Sequence, residues 1–235
     1  RKLVQNNTTG FYELADMKAM TARADQMRQS ARRSKNNIQT RGSLGGDHQP
    51  YVGMKKGLII LVQFADTKFW ADHTPALYQR IANEEGFKEL DFNGSVKDYF
   101  KAQSYGQFEL DFDIAGPVTL PNGYAYYGKP TNGQNDNNTA LGEMVMDACK
   151  AVDESIDFTN YDWDDDGEVD QVFILYAGHG EASWDDRNTI WPHEWNLHSA
   201  LGRTLTLDGV TIDTYACSCE LGVKTSQGYA ECIDG

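Results

Sequence analysis

Residues 161–178 read YDWDDDGEVDQVFILYAG, an acidic turn that runs without a break into an apolar strand. Asp162, Asp164 and Asp166 stand at alternate positions, Gly167 follows, and Asp170 falls ninth counting from Asp162. Calcium takes roughly six to eight hard oxygen ligands, and alternating carboxylates ahead of a glycine that permits a sharp turn wrap those oxygens around one point. The stretch therefore predicts a Ca2+ site made by Asp162, Asp164, Asp166 and Asp170, with the Glu168 carbonyl at the seventh position. Position twelve, where an EF-hand carries a bidentate Glu, is Phe173 in the following strand. The loop is thus EF-like without a helix-loop-helix around it, and its expected role is structural. The competing account, an acidic turn whose carboxylates are merely solvated, leaves their mutual repulsion uncompensated.

Working outward, Gln171–Ala177 reads as a buried strand, and GLIILVQF at 57–64 is a second uninterrupted apolar run of strand formers. Such a run suits a strand covered on both faces, in the middle of a sheet. Phe108, Leu110, Phe112 and Ile114 alternate with Asp111 and Asp113, which predicts a strand over 107–120 that ends in a turn at Pro121–Gly123. Helices are predicted over Thr74–Glu85, with Pro75 in its first turn and Gly86 at its end, over Ser95–Ser104, and over Thr139–Val152. A polar loop fills 128–138, an edge-like segment follows at Thr189–Trp195, and Asp208-Gly209 turns a hairpin between Thr204–Leu207 and Val210–Cys219. Strands interleaved with helices define an α/β (α+β) fold, a twisted mixed sheet with packed helices.

Charge divides the chain. Residues 1–48 hold nine Lys/Arg against four Asp/Glu, whereas 49–235 hold twelve against thirty-one, within a net charge of −14. The acidic body excludes nucleic acid as a partner, because phosphate binding draws on clustered cations; it suits divalent cations and the chain's own basic arm. No run of eighteen apolar residues occurs, so no membrane span is predicted. Phe11, Leu14, Met17, Met20 and Met27 make Gly10–Lys35 helix-compatible, and RGSLGGDHQPY at 41–51 reads as a linker or cleavage-prone segment. The expected division is an arm over 1–48 and a body over 49–235, with the boundary near Asp47–Pro50.

The thiols Cys149, Cys217, Cys219 and Cys232 match no CxxC pattern, and a single disulfide from Cys232 to Cys217 or Cys219 is one option. His193-Glu194-Trp-Asn-Leu-His198 resembles the H-E-x-x-H of zinc proteases with one residue too many. At about 100° per residue, histidines five apart diverge by roughly 140° around a helix and do not share a metal. A different chemistry is offered by His179-Gly180 at a strand end and Ala216-Cys217 on a later strand, which resembles the His and Cys pairing of caspase- and gingipain-like cysteine proteases. There the imidazole would serve the thiol as acid/base partner. A non-catalytic, calcium-stabilised binding module is the third option.

Five segments in one order, GLIILVQFAD (57–66), VKDYFKAQSYGQFEL (96–110), YDWDDDGEVDQVFILYAG (161–178), TIWPHEW (189–195) and TLDGVTIDTYACSCEL (206–221), resemble the M6 family of immune-inhibitor-A-like zinc metallopeptidases. The resemblance implies a zincin-like N-terminal subdomain, in a chain that ends before the active-site helix. That helix would carry H-E-x-x-H and a third Zn2+ ligand, and its Glu would take the proton of the zinc-activated water. A fragment without it is expected not to hydrolyse peptides. The resemblance also implies a secreted or cell-surface zymogen acting on protein or peptide substrates, with 1–48 as the end of a pro-segment. Gly45-Gly46-Asp47 is similar to pro-segment aspartates that occupy zinc, and Thr189–Trp195 is the expected edge for pairing with an extended peptide.

Overall fold

The structure, a computed structural model, describes residues 3–5, 12–14, 51–90, 92–130, 137–184, 186–225 and 228–233. Two compact units emerge, Arg1–Pro50 and Tyr51–Gly235. In the first, β1 (Leu3–Gln5) pairs antiparallel with β2 (Tyr12–Leu14), with Val4 opposite Glu13. The helix expected across Gly10–Lys35 is corrected here: Tyr12–Leu14 is strand. Spacing of apolar residues over so short a segment does not separate a helix from a paired strand, and pairing with Leu3–Gln5 decides it. The rest of that stretch, and Asp47, lie outside the described residues.

The second unit is built on β3 (Gly53–Gln63), β4 (Phe108–Thr119), β5 (Val172–His179), β6 (His193–Asn196), β9 (Thr214–Thr225) and β10 (Gly228–Ile233). Their order is β10-β9-β5-β3-β4, with β6 also on β9. The four strands from β4 to β9 are mutually parallel, while β6 and β10 run antiparallel to β9. Between β6 and β9, β7 (Leu205–Leu207) and β8 (Val210–Ile212) form a small hairpin. Its turn, Asp208-Gly209, has φ of 50° and 88°, a left-handed pair that a two-residue turn of this kind requires.

The apolar run at 57–64 does lie near the centre, between β4 and β5. Leu58, Ile60, Val62 and Phe64 face the helix α4 (Asn138–Val152), packing with Met144, Val145 and Ala148 in the main core. Leu61, on the other face, packs with Tyr78, Ile81 and Phe87 beside α1 (Pro75–Asn83). Thr74 caps α1 from its hydroxyl, and Pro75 enters where its missing N–H costs nothing. The helix α2 (Val96–Gln103) begins with a capping box in which Ser95 and Asp98 exchange side-chain-to-backbone bonds.

Three elements differ from expectation. A short helix, α3 (Tyr124–Gly128), follows the Pro121–Gly123 turn. The run 210–219, read as one strand, breaks at Asp213 into β8 and β9: the Asp213 carbonyl accepts the Leu197 N–H at 2.9 Å and its Oδ1 the His198 N–H at 2.7 Å. Those bonds seat α6 (Leu197–Leu201), the helix after β6; α5 (Glu181–Trp184) follows β5. Finally, Cys232 stands opposite Gly222 in the β9–β10 register, three and five residues along β9 from Cys219 and Cys217. At about 3.3 Å per residue that is roughly 10 and 17 Å of strand, beyond a disulfide's reach, and Cys217 is in no disulfide.

Candidate functional site

The acidic loop joins a 3-10 turn at Phe158–Tyr161 to β5. Asp162 organises it: Oδ1 accepts the Asp166 N–H at 3.1 Å and Oδ2 the Gly167 N–H at 2.8 Å. Asp165 and Gly167, at φ of 58° and 87°, supply the sharp bend. The result brings one carboxylate oxygen each from Asp162, Asp164 and Asp166 within 4.8 Å of one another. Asp170 is turned elsewhere: its carboxylate accepts from Tyr51 Oη at 2.5 Å and from the Trp163 N–H at 2.6 Å. Glu168 enters through its backbone, in a bridge to Thr211 that fastens the loop to β8.

Trp163 pins the loop to the sheet. Its indole N–H donates to the Lys56 carbonyl at 2.7 Å, its own carbonyl accepts from Lys55 Nζ at 2.5 Å, and Tyr51 packs edge-on at 5.2 Å. The electrostatics are those of concentrated negative charge. Burial raises the Asp170 carboxyl above its ordinary range, with Asp164 and Asp166 adding to the rise. Burial likewise raises Glu168, with Asp213 and Asp166 next in importance. A cation among these oxygens relieves that repulsion.

The donor set decides which cation fits. Three carboxylates are hard oxygen ligands of the kind Ca2+ takes. Zn2+ sites draw mainly on His nitrogen and Cys sulfur, and among the described residues this aspartate group is the one cluster of three or more metal-ligating side chains. His193 lies in β6 and His198 in the first turn of α6, so they share no helix face.

At the sheet's other end, β6 pairs with residues 214–217 of β9, leaving its far edge without a strand partner among the described residues. Sequence reasoning missed what positions this edge: the hydroxyls of buried tyrosines. Tyr176 Oη donates to the Ile190 carbonyl at 2.8 Å, Tyr124 Oη accepts the Ile190 N–H at 3.2 Å, and Tyr124 Oη donates to the His179 carbonyl. The signal was limited to tyrosines standing among apolar residues, Tyr176 in β5 and Tyr124 at the start of α3. His193 places Nδ1 2.7 Å from the Trp191 carbonyl, which puts its proton there, and Nε2 then accepts from Tyr215 Oη at 3.3 Å.

His179 and Cys217 are not brought together. Register sets His179 opposite Leu221, four residues and roughly 13 Å along β9 from Cys217. The imidazole beside Cys217 is that of His193, at 3.4 Å, and burial pushes the thiol up to about 12.

A mostly parallel sheet with helices on both faces, an antiparallel edge strand and an acidic loop entering its middle strand is the architecture of a zincin-like peptidase domain. Residues 50–223 match the family model "Immune inhibitor A peptidase M6, catalytic domain", and the chain belongs to this family. It is 28% identical over 179 residues to Immune inhibitor A from Bacillus thuringiensis subsp. alesti, covering 62% of this chain and 26% of that protein. It is also 28% identical over 196 residues to the Pre-pro-metalloprotease PrtV of Vibrio cholerae serotype O1 (strain M66-2), covering 67% of this chain and 21% of the relative. The chain thus spans about a quarter or a fifth of these relatives' lengths.

Proposed function

We propose that this chain is part of the catalytic domain of a secreted, calcium-binding zinc metalloendopeptidase. The carrying observation is the family match over residues 50–223, and a relative's name, Pre-pro-metalloprotease, supports both export and a pro-segment at 1–48. On this reading Ca2+ is held by Asp162, Asp164 and Asp166, with the Glu168 carbonyl and Asp170 completing the set as Asp170 turns from Tyr51. Zn2+ and the groups that work with it come from outside residues 1–235, so this stretch alone hydrolyses no peptide. Its own residues contribute the frame: β6 offers main-chain donors and acceptors to an extended peptide, and Tyr124, Tyr176, Tyr215 and His193 fix the approach to that edge.

The test is peptide hydrolysis by the full-length protein. Activity abolished by phenanthroline and restored by zinc, with none from residues 1–235, is the expected result. Phenanthroline-resistant activity would overturn the zinc assignment; inactivity at every length would leave a calcium-stabilised binding module. Terbium luminescence sensitised through Trp163 reports the loop separately: excess calcium should quench it, and Asp164→Ala should prevent it.

A further inference from the structure

Glu220 lies on the face of β9 opposite Cys217 and Cys219, and none of it is exposed. Its Oε1 accepts the Trp70 N–H at 2.7 Å and stands 2.7 Å from His73 Nδ1, while Oε2 accepts the Gly178 N–H at 2.9 Å. One side chain therefore ties β9 to the end of β5 and to the connection between β3 and α1. Burying a carboxylate is expensive, and apolar residues of similar volume often pack as well or better. What the carboxylate adds is a fixed direction for each donor around it.

Those directions shape the connection. The short contact between Glu220 Oε1 and His73 Nδ1 fixes the plane of the imidazole against β9. The Trp70 indole stacks on that imidazole, centroids 5.3 Å apart and planes at 26°, yet remains 40% exposed. Tyr78 closes the group edge-on to His73 at 6.4 Å, its buried hydroxyl without a hydrogen-bond partner among the described residues. The whole stands at the carboxyl ends of parallel strands, where open α/β sheets bind their ligands. Glu220 is three residues, roughly 10 Å of strand, beyond Cys217, the residue opposite the first residue of β6.

We propose that Glu220 is a positioning residue which, acting through His73 and the Trp70 amide, presents the Trp70 indole as a preformed contact for an extended peptide lying along the β6 edge. This rests on the peptide-docking role proposed for β6. An exposed, immobilised indole loses little conformational freedom on binding, which is why tryptophan recurs at the centres of binding surfaces.

The chain's five tryptophans give the test its probes. With 15N-labelled indoles, and Trp70 assigned through Trp70→Phe, the whole chain is titrated with the capped peptide acetyl-Ala-Ala-Phe-Leu-Ala-Ala-amide. The Trp70 signal and that of Trp191 or Trp195 should shift together. In Glu220→Gln the free Trp70 signal should move and its response vanish while the response near β6 persists, and Glu220→Asp should restore part of it. If Glu220→Gln does not fold, His73→Gln, which removes the stacking ring, should give the same loss. A peptide that shifts Trp191 or Trp195 but not Trp70, or a Glu220→Gln response equal to wild type, overturns this inference and leaves the β6 reading standing. No shift in any indole overturns both.

Discussion

Cys217 is 3% exposed, its thiol is raised to about 12 by burial, and the nearby His193 only partly offsets that rise. It is therefore a thiol at neutral pH, and thiols alkylate far more slowly than thiolates. Iodoacetamide on the native protein followed by peptide mass mapping should find Cys217 unmodified, with alkylation appearing after denaturation. Asp98 illustrates the opposite shift. The backbone N–H of Ser95, and then that of Gly86, hold its carboxyl below its ordinary range. A depressed folded-state pKa contributes stability that is complete above the unfolded value of about 3.9 and is lost as pH falls through the lower folded value. Asp98→Ala should thus cost about 1 kcal/mol near pH 7, and progressively less below about pH 4, in urea titrations compared with wild type.

At the level of elements, α3 meets the segment leading to β6 at Gly128. A Cβ there would lie 2.5 Å from the Asn188 carbonyl oxygen and 2.5 Å from the Thr189 carbonyl carbon. Backbone cannot swing aside as a side chain can, so Gly128→Ala should destabilise by about 2 kcal/mol or more in denaturant titration and loosen the chain entering β6. This contact could not be read from the sequence, because its partner is sixty residues away and the glycine reads only as the start of a polar loop. The same limit explains Asp213: nothing local marks it as a break between two strands, since its bonds go to Leu197 and His198. The helices α1, α2 and α4, by contrast, were legible to within about two residues, because caps and apolar spacing act within one or two turns.

For the whole molecule, the acidic body carries a net charge of −14 with its arm included, and the loop at 162–170 is its most concentrated point. A ligand that binds only the folded state stabilises by mass action, about 2.7 kcal/mol at one hundred times its Kd. Calcium should therefore raise Tm, a chelator should reverse the rise, and Asp164→Ala should abolish it. General screening stabilises any strongly charged chain. Sodium chloride at matched ionic strength should accordingly give a smaller rise that Asp164→Ala leaves intact. Equal rises with the two salts would remove the case for a specific site.

What the sequence determined by itself is what depends on neighbours in the chain. The apolar run at 57–64, the alternation at 108–114, the capped helices and the close-set aspartates at 162, 164 and 166 each follow from periodicity, cap chemistry or a turn. Together with the order of five segments they were enough for the family. Tertiary structure alone decided the sheet order, the turning of Asp170 towards Tyr51, the separation of His179 from Cys217, the tyrosine hydroxyls that hold the approach to β6, and the buried Glu220. Each of these depends on the relative placement of residues far apart in the chain, which exists only once the parallel strands have come into register.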